Sequence, residues 1–223
     1  MKTIVSASLT LLLAACGGSN LSLSIRAGAP AASASSRGDL ALSNNIVLSR
    51  VRIVIRDLQL ETKDGSDTND ADDDQVASGP YLLDLSGASL DGGLSKVFDA
   101  SFTPGTYKSI KLKIHKLTSS DSFAGNAGLE AMNTAGASII ADGTIDGAAF
   151  TYTTSVETKE EFKGSIELKA GSNLTLNVDP TGWFSGSGGR LDPREAANVP
   201  AIDDNIKKSF KAFKDDNKDG HGD

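Results

Sequence analysis

The sequence predicts a mainly β protein, an antiparallel β-sandwich followed by a C-terminal amphipathic helix. Two observations carry this prediction. The apolar residues between positions 46 and 178 form short alternating runs, which is the pattern of strands with one buried face. Glycine and aspartate separate these runs at short intervals, as turn residues do between antiparallel strands. A helical spacing of apolar residues is clear only towards the C-terminus.

The size and charge of the chain restrict its function. It has 223 residues, with 22 basic and 29 acidic side chains and a formal net charge of -7. This length suits one globular domain with terminal extensions. An acidic chain lacks the concentrated basic surface that binds nucleic acid, so we expect no nucleic-acid partner. One cysteine and two histidines cannot supply a disulfide framework or a cysteine-rich zinc site.

The N-terminus has the features of a secretory signal. Lys2 precedes a mostly apolar run, residues 3–13, which is too short to span a bilayer but suits the core of a signal peptide. The run ends in Leu13-Ala14-Ala15-Cys16-Gly17, which resembles the lipobox of bacterial lipoproteins. That resemblance implies cleavage after Ala15 and lipidation of Cys16, whose acyl chains would anchor the protein in a membrane.

The same resemblance implies a location. In Gram-negative lipoproteins the residue after the lipidated cysteine directs sorting, and Gly17 in place of an aspartate favours the outer membrane. We therefore expect the protein in the bacterial cell envelope, with the membrane as a partner through the lipid anchor. An ordinary cleaved signal with a chance cysteine is the alternative.

Composition divides the chain into four parts. They are a signal peptide over residues 1–15, a lipidated cysteine and flexible tether over 16–44, a β-sandwich over 45–189, and a C-terminal helix with an acidic tail over 190–223. The tether prediction follows from a segment rich in Gly, Ser and Ala, because so few apolar residues cannot offset the entropy of ordering. The alternation of Leu21, Leu23 and Ile25 leaves a short edge strand as the alternative.

The first half of the sandwich region contains the clearest strands. Alternation runs from Val51 to Leu60 and changes phase near Arg56-Asp57, which indicates a bulge. Further strands are predicted at residues 81–85, 97–102 and 110–114. The turn at 103–105 joins the last two as a hairpin.

Two more hairpins are expected in the second half. Asp146-Gly147 separates two apolar segments and is a dipeptide that type I′ turns favour, because both central residues need positive φ. The glycine turn at 170–172 separates strands at 166–168 and 174–178 in the same way. Residues 119–137 are rich in Gly, Ala, Ser and Asn and predict a long loop with at most a short helix.

The C-terminal region predicts helix. Asp192-Pro193 has the form of a helix start, and Pro200 is expected to end this short helix. A second helix is indicated by an apolar stripe with spacings of four, four and three, formed by Ile202, Ile206, Phe210 and Phe213. We expect the stripe to pack against the sandwich, with docking onto a partner as the alternative.

The chain ends in an acidic sequence that resembles the calcium loops of EF-hand, dockerin and thrombospondin-type repeats. Oxygen ligands recur at alternate positions, and Gly220 suits the sharp turn of such loops. The candidate ligands are Asp215, Asn217, Asp219, Asp223 and the backbone carbonyl of His221. The sequence stops before the bidentate acid of the last loop position, so a solvated acidic tail is the alternative to a weak calcium site. A second acidic cluster at 64–74 has no such glycine and is interpreted as a solvated loop.

Two strands carry basic side chains on their predicted outward faces. Period-two alternation places Arg50 and Arg52 together on one strand, and Lys111 and Lys113 together on another. Adjacent strands would form a basic face that binds an anionic glycan or lipid headgroup; a solvated face paired with acids is the alternative. Trp183 would stack on a sugar ring if exposed, or close the sandwich core if buried.

The sequence contains no nucleophile elbow, zinc-binding helix motif or phosphate loop, so no catalytic residue is assigned. The lipobox and the strand pattern together resemble bacterial lipoproteins with an Ig- or transthyretin-like sandwich, which implies a binding or structural module. We therefore expect a non-enzymatic envelope lipoprotein, with calcium as its cofactor and an envelope glycan or protein as its ligand. An adhesin or pilus-like subunit is the main alternative, and an envelope hydrolase the second.

Overall fold

The computed structural model describes residues 19–28, 38–62 and 74–223. Cys16 and the acidic segment 64–73 lie outside the described residues. The strands are β1 (Ser19–Ala27), β2 (Leu40–Ala41), β3 (Ile46–Thr62), β4 (Asp74–Ser86), β5 (Ser95–Phe102), β6 (Gly105–Ile114), β7 (Ile139–Ile145), β8 (Ala148–Thr154), β9 (Thr158–Leu168), β10 (Asn173–Val178), β11 (Ser185–Gly186), β12 (Gly189–Arg190) and β13 (Phe210–Lys214). The helices are α1 (Ala127–Thr134) and α2 (Val199–Lys207), with short 3-10 turns at Gly87–Ser89, Pro180–Gly182 and Ala196–Asn198.

Two sheets pack face to face, which confirms the mainly β sandwich. The four-stranded sheet has the order β13-β10-β1-β5. The seven-stranded sheet has the order β8-β7-β3-β6-β9, with β2 and β4 also paired to β3. The β1–β10 pair is parallel, and the other strand pairs of the two sheets are antiparallel.

The inward faces of both sheets form one apolar core. Leu23 of β1, Ile53 of β3 and Leu112 of β6 belong to it and are at most 1% exposed. A second apolar cluster lies on the other face of β3, because Val54 points away from Ile53 and Ile55. This outer cluster, centred on α1, consists of Val54, Leu117, Leu129, Met132, Ala137 and Ile140.

Strand β1 corrects the prediction of a flexible tether for residues 19–27. It is an inner strand of its sheet, paired with β10 on one side and β5 on the other. Leu21, Leu23 and Ile25 are buried in the core, so it is not an edge strand either. Composition does not reveal this strand because two of its polar residues, Ser24 and Arg26, are also buried and make hydrogen bonds to segments far away in sequence.

The predicted bulge in the long strand is confirmed. The register of β3 shifts between Ile55 and Asp57 in its pairing with both β4 and β6. Strand β3 pairs with β7 from Ile46 to Ile53 and with β6 from Ile55 to Thr62. The bulge therefore lies where β3 exchanges one neighbour for another.

The hairpin at Asp146-Gly147 is confirmed, whereas the other two hairpins are wrong. Asp146 and Gly147 have φ values of 51° and 80°, and they join β7 to its antiparallel partner β8. The turn at 103–105 instead connects strands of different sheets, β5 and β6, and the turn at 170–172 does the same for β9 and β10. Alternation and a turn residue do not specify whether the chain returns to the same sheet or crosses to the facing one.

The C-terminal prediction is confirmed in part. Helix α2 packs Ile202 and Ile206 into the core, but Pro200 stands in its first turn and does not end an earlier helix. Proline is tolerated there because the first backbone N–H groups of a helix have no intrahelical partner. The helix ends at Lys207, and Phe210 and Phe213 belong to β13. No helix in the described ranges has the length and apolar character needed to cross a membrane.

Candidate functional site

The C-terminal loop, residues 215–223, folds back onto the outer face of the four-stranded sheet. Outward-pointing side chains of β1 and β10 are buried beneath it, among them Ser24, Asn173 and Thr175. These polar groups form a chain of hydrogen bonds, from Ser24 Oγ to Asn173 Oδ1 at 2.8 Å and from Asn173 Nδ2 to Thr175 Oγ1 at 3.1 Å. The loop therefore covers a polar layer and is not a solvated tail.

Asp215 connects the loop to this layer. Its side chain is fully buried and accepts hydrogen bonds from Thr175 Oγ1 at 2.8 Å and from the backbone N–H groups of Asp219 and Gly220 at 3.0 and 3.1 Å. Its own backbone pairs with Asn173, whose carbonyl accepts from Asp215 N and whose Nδ2 donates to Asp215 O. A buried carboxylate that accepts three hydrogen bonds holds the loop firmly on the sheet, because hydrogen bonds to an ionised acceptor are stronger than those between neutral groups.

The alternating oxygens after Asp215 shape the loop. Asn217 Oδ1 accepts from the backbone N–H of Asp219 at 3.0 Å, and Asp219 Oδ1 accepts from that of His221 at 2.8 Å. Lys218 and Gly220 have φ values of 58° and 83°. The loop is therefore a succession of side-chain-to-backbone turns, which Asn and Asp favour.

The last residue closes the loop on itself. Asp223 Oδ2 accepts from the backbone N–H of Asp216, and Asp223 N donates to the carbonyl of Lys214 at 3.1 Å. Lys214 Nζ lies 2.6 Å from Asp216 Oδ2 and 4.0 Å from Asp223 Oδ2. The hydrogen bond with Asp216 raises the pKa of Lys214.

Arg26 holds the far side of the loop. Its side chain is buried and donates from Nη1 to the carbonyl of Gly220 at 2.7 Å and from Nη2 to that of Gly28 at 2.8 Å. A Cβ at position 220 would collide with this guanidinium. Glycine is needed here both for the positive φ and for the close approach of Arg26.

The residue types of the loop suit calcium, which binds six to eight oxygen ligands. The predicted ligands lie in one folded loop, and Asn217 Nδ2 contacts Asp219 Oδ2 at 3.0 Å. Across residues 19–28, 38–62 and 74–223, however, no three His, Cys, Asp or Glu side chains are grouped as ligands for a metal ion. Hydrogen bonds account for the loop conformation, and calcium binding stays a prediction.

Arg50 and Arg52 do not belong to a continuous basic face. Arg50 forms two hydrogen bonds with Asp84 of the neighbouring β4, and Arg52 Nη2 lies 2.7 Å from Asp142 Oδ2 of β7. The hydrogen bonds to Asp84 raise the pKa of Arg50. The predicted alternative, in which neighbouring acids pair with the arginines, describes this part of the sheet.

Lys111 and Lys113 lie on the same sheet face as the arginines but in a separate region. Their strand, β6, pairs with β3 only from Ile55 onwards, at and beyond the bulge. Val54, which lies between the arginines and this part of β3, belongs to the outer apolar cluster. The two strands are adjacent, but they do not form one basic face, because an apolar cluster and several carboxylates divide it.

Glu61 pairs with the lysines of this second region. It lies 2.6 Å from Lys108 Nζ and 3.3 Å from Lys111 Nζ, and it accepts from Ser109 Oγ at 2.7 Å. The hydrogen bonds from Lys108 and Ser109 lower the pKa of Glu61 to about 2. The arrangement places a carboxylate between two ammonium groups.

We expect Glu61→Gln to destabilise the fold in a pH-dependent way. The pKa is lower in the folded state than in the unfolded chain, so the stabilisation is complete above the ordinary value of 4.5 and is lost as the pH falls towards 2. Urea unfolding should show a difference from the wild type at pH 7 that shrinks between pH 5 and pH 2. Glu167→Gln, at an exposed pair with Lys169, is the control. An effect of Glu61→Gln on stability that does not vary with pH would contradict the lowered pKa of Glu61.

Trp183 is a core residue and not an exposed sugar-stacking side chain. It is 0% exposed, and its ring packs edge-on against Phe184 with centroids 6.4 Å apart. Asn205 of α2 donates from Nδ2 to its backbone carbonyl at 3.1 Å. The predicted sugar-stacking role is therefore wrong, and the alternative of an anchor that closes the sandwich core is confirmed.

Two residues that matter for these sites were missed in the sequence. Arg26 was assigned to the tether, although a basic residue after the Leu21–Ile25 alternation is the pattern of a strand with one polar face. Lys159 stands in a run of charged residues and shows no sequence signal that separates it from an ordinary solvated strand. Only the register of β9 against β6 reveals its neighbour, Lys113.

Comparison with known proteins gives one distant likeness. No family model matches the chain, and no curated protein matches it. Among solved structures, the chain is similar to MbnP from Methylosinus trichosporium, with 12% sequence identity and a TM-score of 0.40, over 88% of this chain and 98% of that chain. A likeness at this level carries no inference about function.

Proposed function

We propose that this chain is a non-enzymatic lipoprotein of the bacterial cell envelope, anchored through Cys16 in the outer membrane, which presents its β-sandwich as a binding or structural module. The observation that supports the proposal is the position of β1. This strand begins at Ser19, three residues after the cysteine of the lipobox, and it is an inner strand of its sheet. The lipid anchor would thus be attached to the core of the fold and not to a peripheral extension.

If Cys16 carries the lipid, the position of β1 suggests which end of the sandwich would face the bilayer. Three residue steps span at most about 11 Å, so Ser19 would lie close to the membrane surface. Ser19 pairs with Phe102, and Asn20 accepts a backbone hydrogen bond from Gly171. The β5–β6 and β9–β10 turns are therefore at the membrane-proximal end of the proposed assembly, and the sandwich would rest on the membrane and not extend from it on a tether.

Calcium binding by the C-terminal loop is the second part of the proposal. The support is chemical: the loop supplies oxygen ligands from Asp215, Asn217, Asp219 and Asp223, and each of the first three has lone pairs that the hydrogen bonds above do not use. Bound calcium would supply positive charge at the edge of the polar layer and would stabilise the loop.

Cys16→Ser tests the anchor. We expect the wild-type chain in the outer-membrane fraction with an acylated N-terminal cysteine detected by mass spectrometry, and the variant without acyl chains and absent from the membrane fractions. Gly17→Asp is the matched control, because it keeps the cysteine and should move the protein to the inner-membrane fraction. A Cys16→Ser variant that remains in the outer membrane as the wild type does would disprove the proposed anchor.

A further inference from the structure

Two lysines face each other on the outer surface of the seven-stranded sheet. Lys113 of β6 and Lys159 of β9 are direct partners in the antiparallel register. Side chains in such pairs have their Cβ atoms about 4.5–5.5 Å apart, and like charges at this separation destabilise a sheet. Both side chains are exposed. The two ammonium groups therefore repel each other across this pair of strands.

The other cations of this surface have carboxylate partners. Arg52 pairs with Asp142, Lys111 with Glu61, and Lys163 with Glu161 at 3.4 Å. Lys113 and Lys159 differ, because neither makes an ion pair with any residue in the described part of the chain. On β3 the direct register partner of Lys113 is Asp57, so one carboxylate stands beside the two ammonium groups and the cluster keeps an excess of positive charge.

The lysine pair lines a shallow depression of about 150 Å³. Its other lining residues are Asp57, Gln59, Lys111 and Leu112. Asp57 and Lys111 have partners within the fold, and the amide of Gln59 adds a neutral hydrogen-bond donor at the same place. The depression therefore offers two ammonium groups and an amide, beside the single carboxylate of Asp57, to a small acceptor-rich ligand.

We propose that this depression binds a phosphate group carried by a soluble ligand. A phosphate carries a charge of about -1.5 to -2 near neutral pH, which matches the two ammonium groups. Lysine binds phosphate as a point charge and needs no fixed planar geometry. Binding would replace the repulsion between Lys113 and Lys159 by two charge-assisted contacts to one group.

The position of the depression favours a soluble ligand over the headgroups of the membrane. Lys113 lies eight residues along β6 from Gly105, which pairs with Leu168 at the end of the sandwich that carries Ser19. At about 3.4 Å per residue this places the depression about 27 Å along the strand from that end. This part of the inference rests on the proposed function, since Cys16 defines which end faces the bilayer.

The test uses a chain that starts at Gly17, which keeps every described element and carries no acyl group. Inorganic phosphate is titrated at constant ionic strength into the wild type, the Lys113→Gln/Lys159→Gln double variant and the control Lys163→Gln, which lies on the same face of β9. We expect saturable binding to the wild type and to the control, and an affinity at least about tenfold weaker for the double variant. Without phosphate, the double variant should melt about 1–4 °C higher than the wild type, because the repulsion is gone.

Three results would overturn the inference. They are no saturable phosphate binding by the wild type, equal binding by the double variant, and a melting temperature of the double variant below that of the wild type. A parallel arm uses vesicles with and without phosphatidylglycerol, and lysine-dependent binding to the anionic vesicles alone would replace the soluble ligand by a lipid headgroup. None of these readouts depends on Cys16, so a failed anchor and a failed phosphate site are distinguishable.

Discussion

Replacing Leu23 by alanine should lower the free energy of unfolding by about 2–5 kcal/mol, which is the usual cost of truncating a buried leucine. Leu23 is 1% exposed and belongs to the main core. Its strand is paired along both edges, with Leu174 opposite Leu23 on β10 and Phe98 opposite it on β5. Loss of this side chain leaves a cavity between the sheets that neighbouring strands cannot close without breaking one of these ladders. Urea unfolding of the chain from Gly17 measures the effect.

Two further variants test whether residues 19–27 are a core strand. Asn20→Ala changes an exposed side chain of the same strand and should shift the free energy of unfolding by less than about 0.5 kcal/mol. A chain that begins after Ala27 should not fold, because β5 and β10 would both lose their shared neighbour. If Leu23→Ala unfolds like the wild type and the shortened chain still folds, residues 19–27 are a tether after all.

Replacing Asp215 by alanine should cost about 3 kcal/mol of unfolding free energy. The substitution removes the acceptor for Thr175 Oγ1 and for the backbone N–H groups of Asp219 and Gly220. Donors left without a partner in a buried place cost about 1–3 kcal/mol each, and relaxation of the loop towards water recovers part of this. Asp204→Ala on α2, whose side chain is 66% exposed, is the control and should change stability by less than about 0.5 kcal/mol.

The same pair of chains tests calcium. Melting temperatures in chelator and in millimolar calcium should show a calcium-dependent rise for the wild type and none for Asp215→Ala, because a ligand that binds only the folded state stabilises it in proportion to its occupancy. If calcium raises neither melting temperature, calcium binding by the loop is disproved, while the cost of Asp215→Ala in chelator still measures its hydrogen bonds. A rise in both would place calcium elsewhere on the chain.

Some side-chain positions could be predicted because the period of a strand is local. The alternation of Ile110, Leu112 and Ile114 with Lys111 and Lys113 assigns each residue to a face without knowledge of any partner, and burial confirms the three apolar residues. The phase change at Arg56-Asp57 predicted the bulge for the same reason. Positive φ at Asp146 and Gly147 follows from the requirements of a two-residue turn.

Predictions failed where a residue's environment comes from distant parts of the chain. Phe210 and Phe213 continue a helical spacing from Ile202, yet β10 offers a free edge to which residues 210–214 pair as a strand. The hydrogen bonds gained along that edge outweigh a weak helical preference, because tertiary context commonly overrides local propensity. The turns at 103–105 and 170–172 likewise contain no information about which sheet the next strand joins.

The sequence by itself determined the strand faces, the hairpin at 146–147, the amphipathic character of α2 and the list of oxygen-bearing residues in the C-terminal loop. The tertiary structure decided that β1 is a central strand, that the terminal loop covers it, and that Lys113 meets Lys159 while Arg50 and Arg52 meet carboxylates. The physical reason is that periodicity and turn conformation depend on neighbouring residues, whereas sheet order and register depend on which distant strands together bury the most apolar surface.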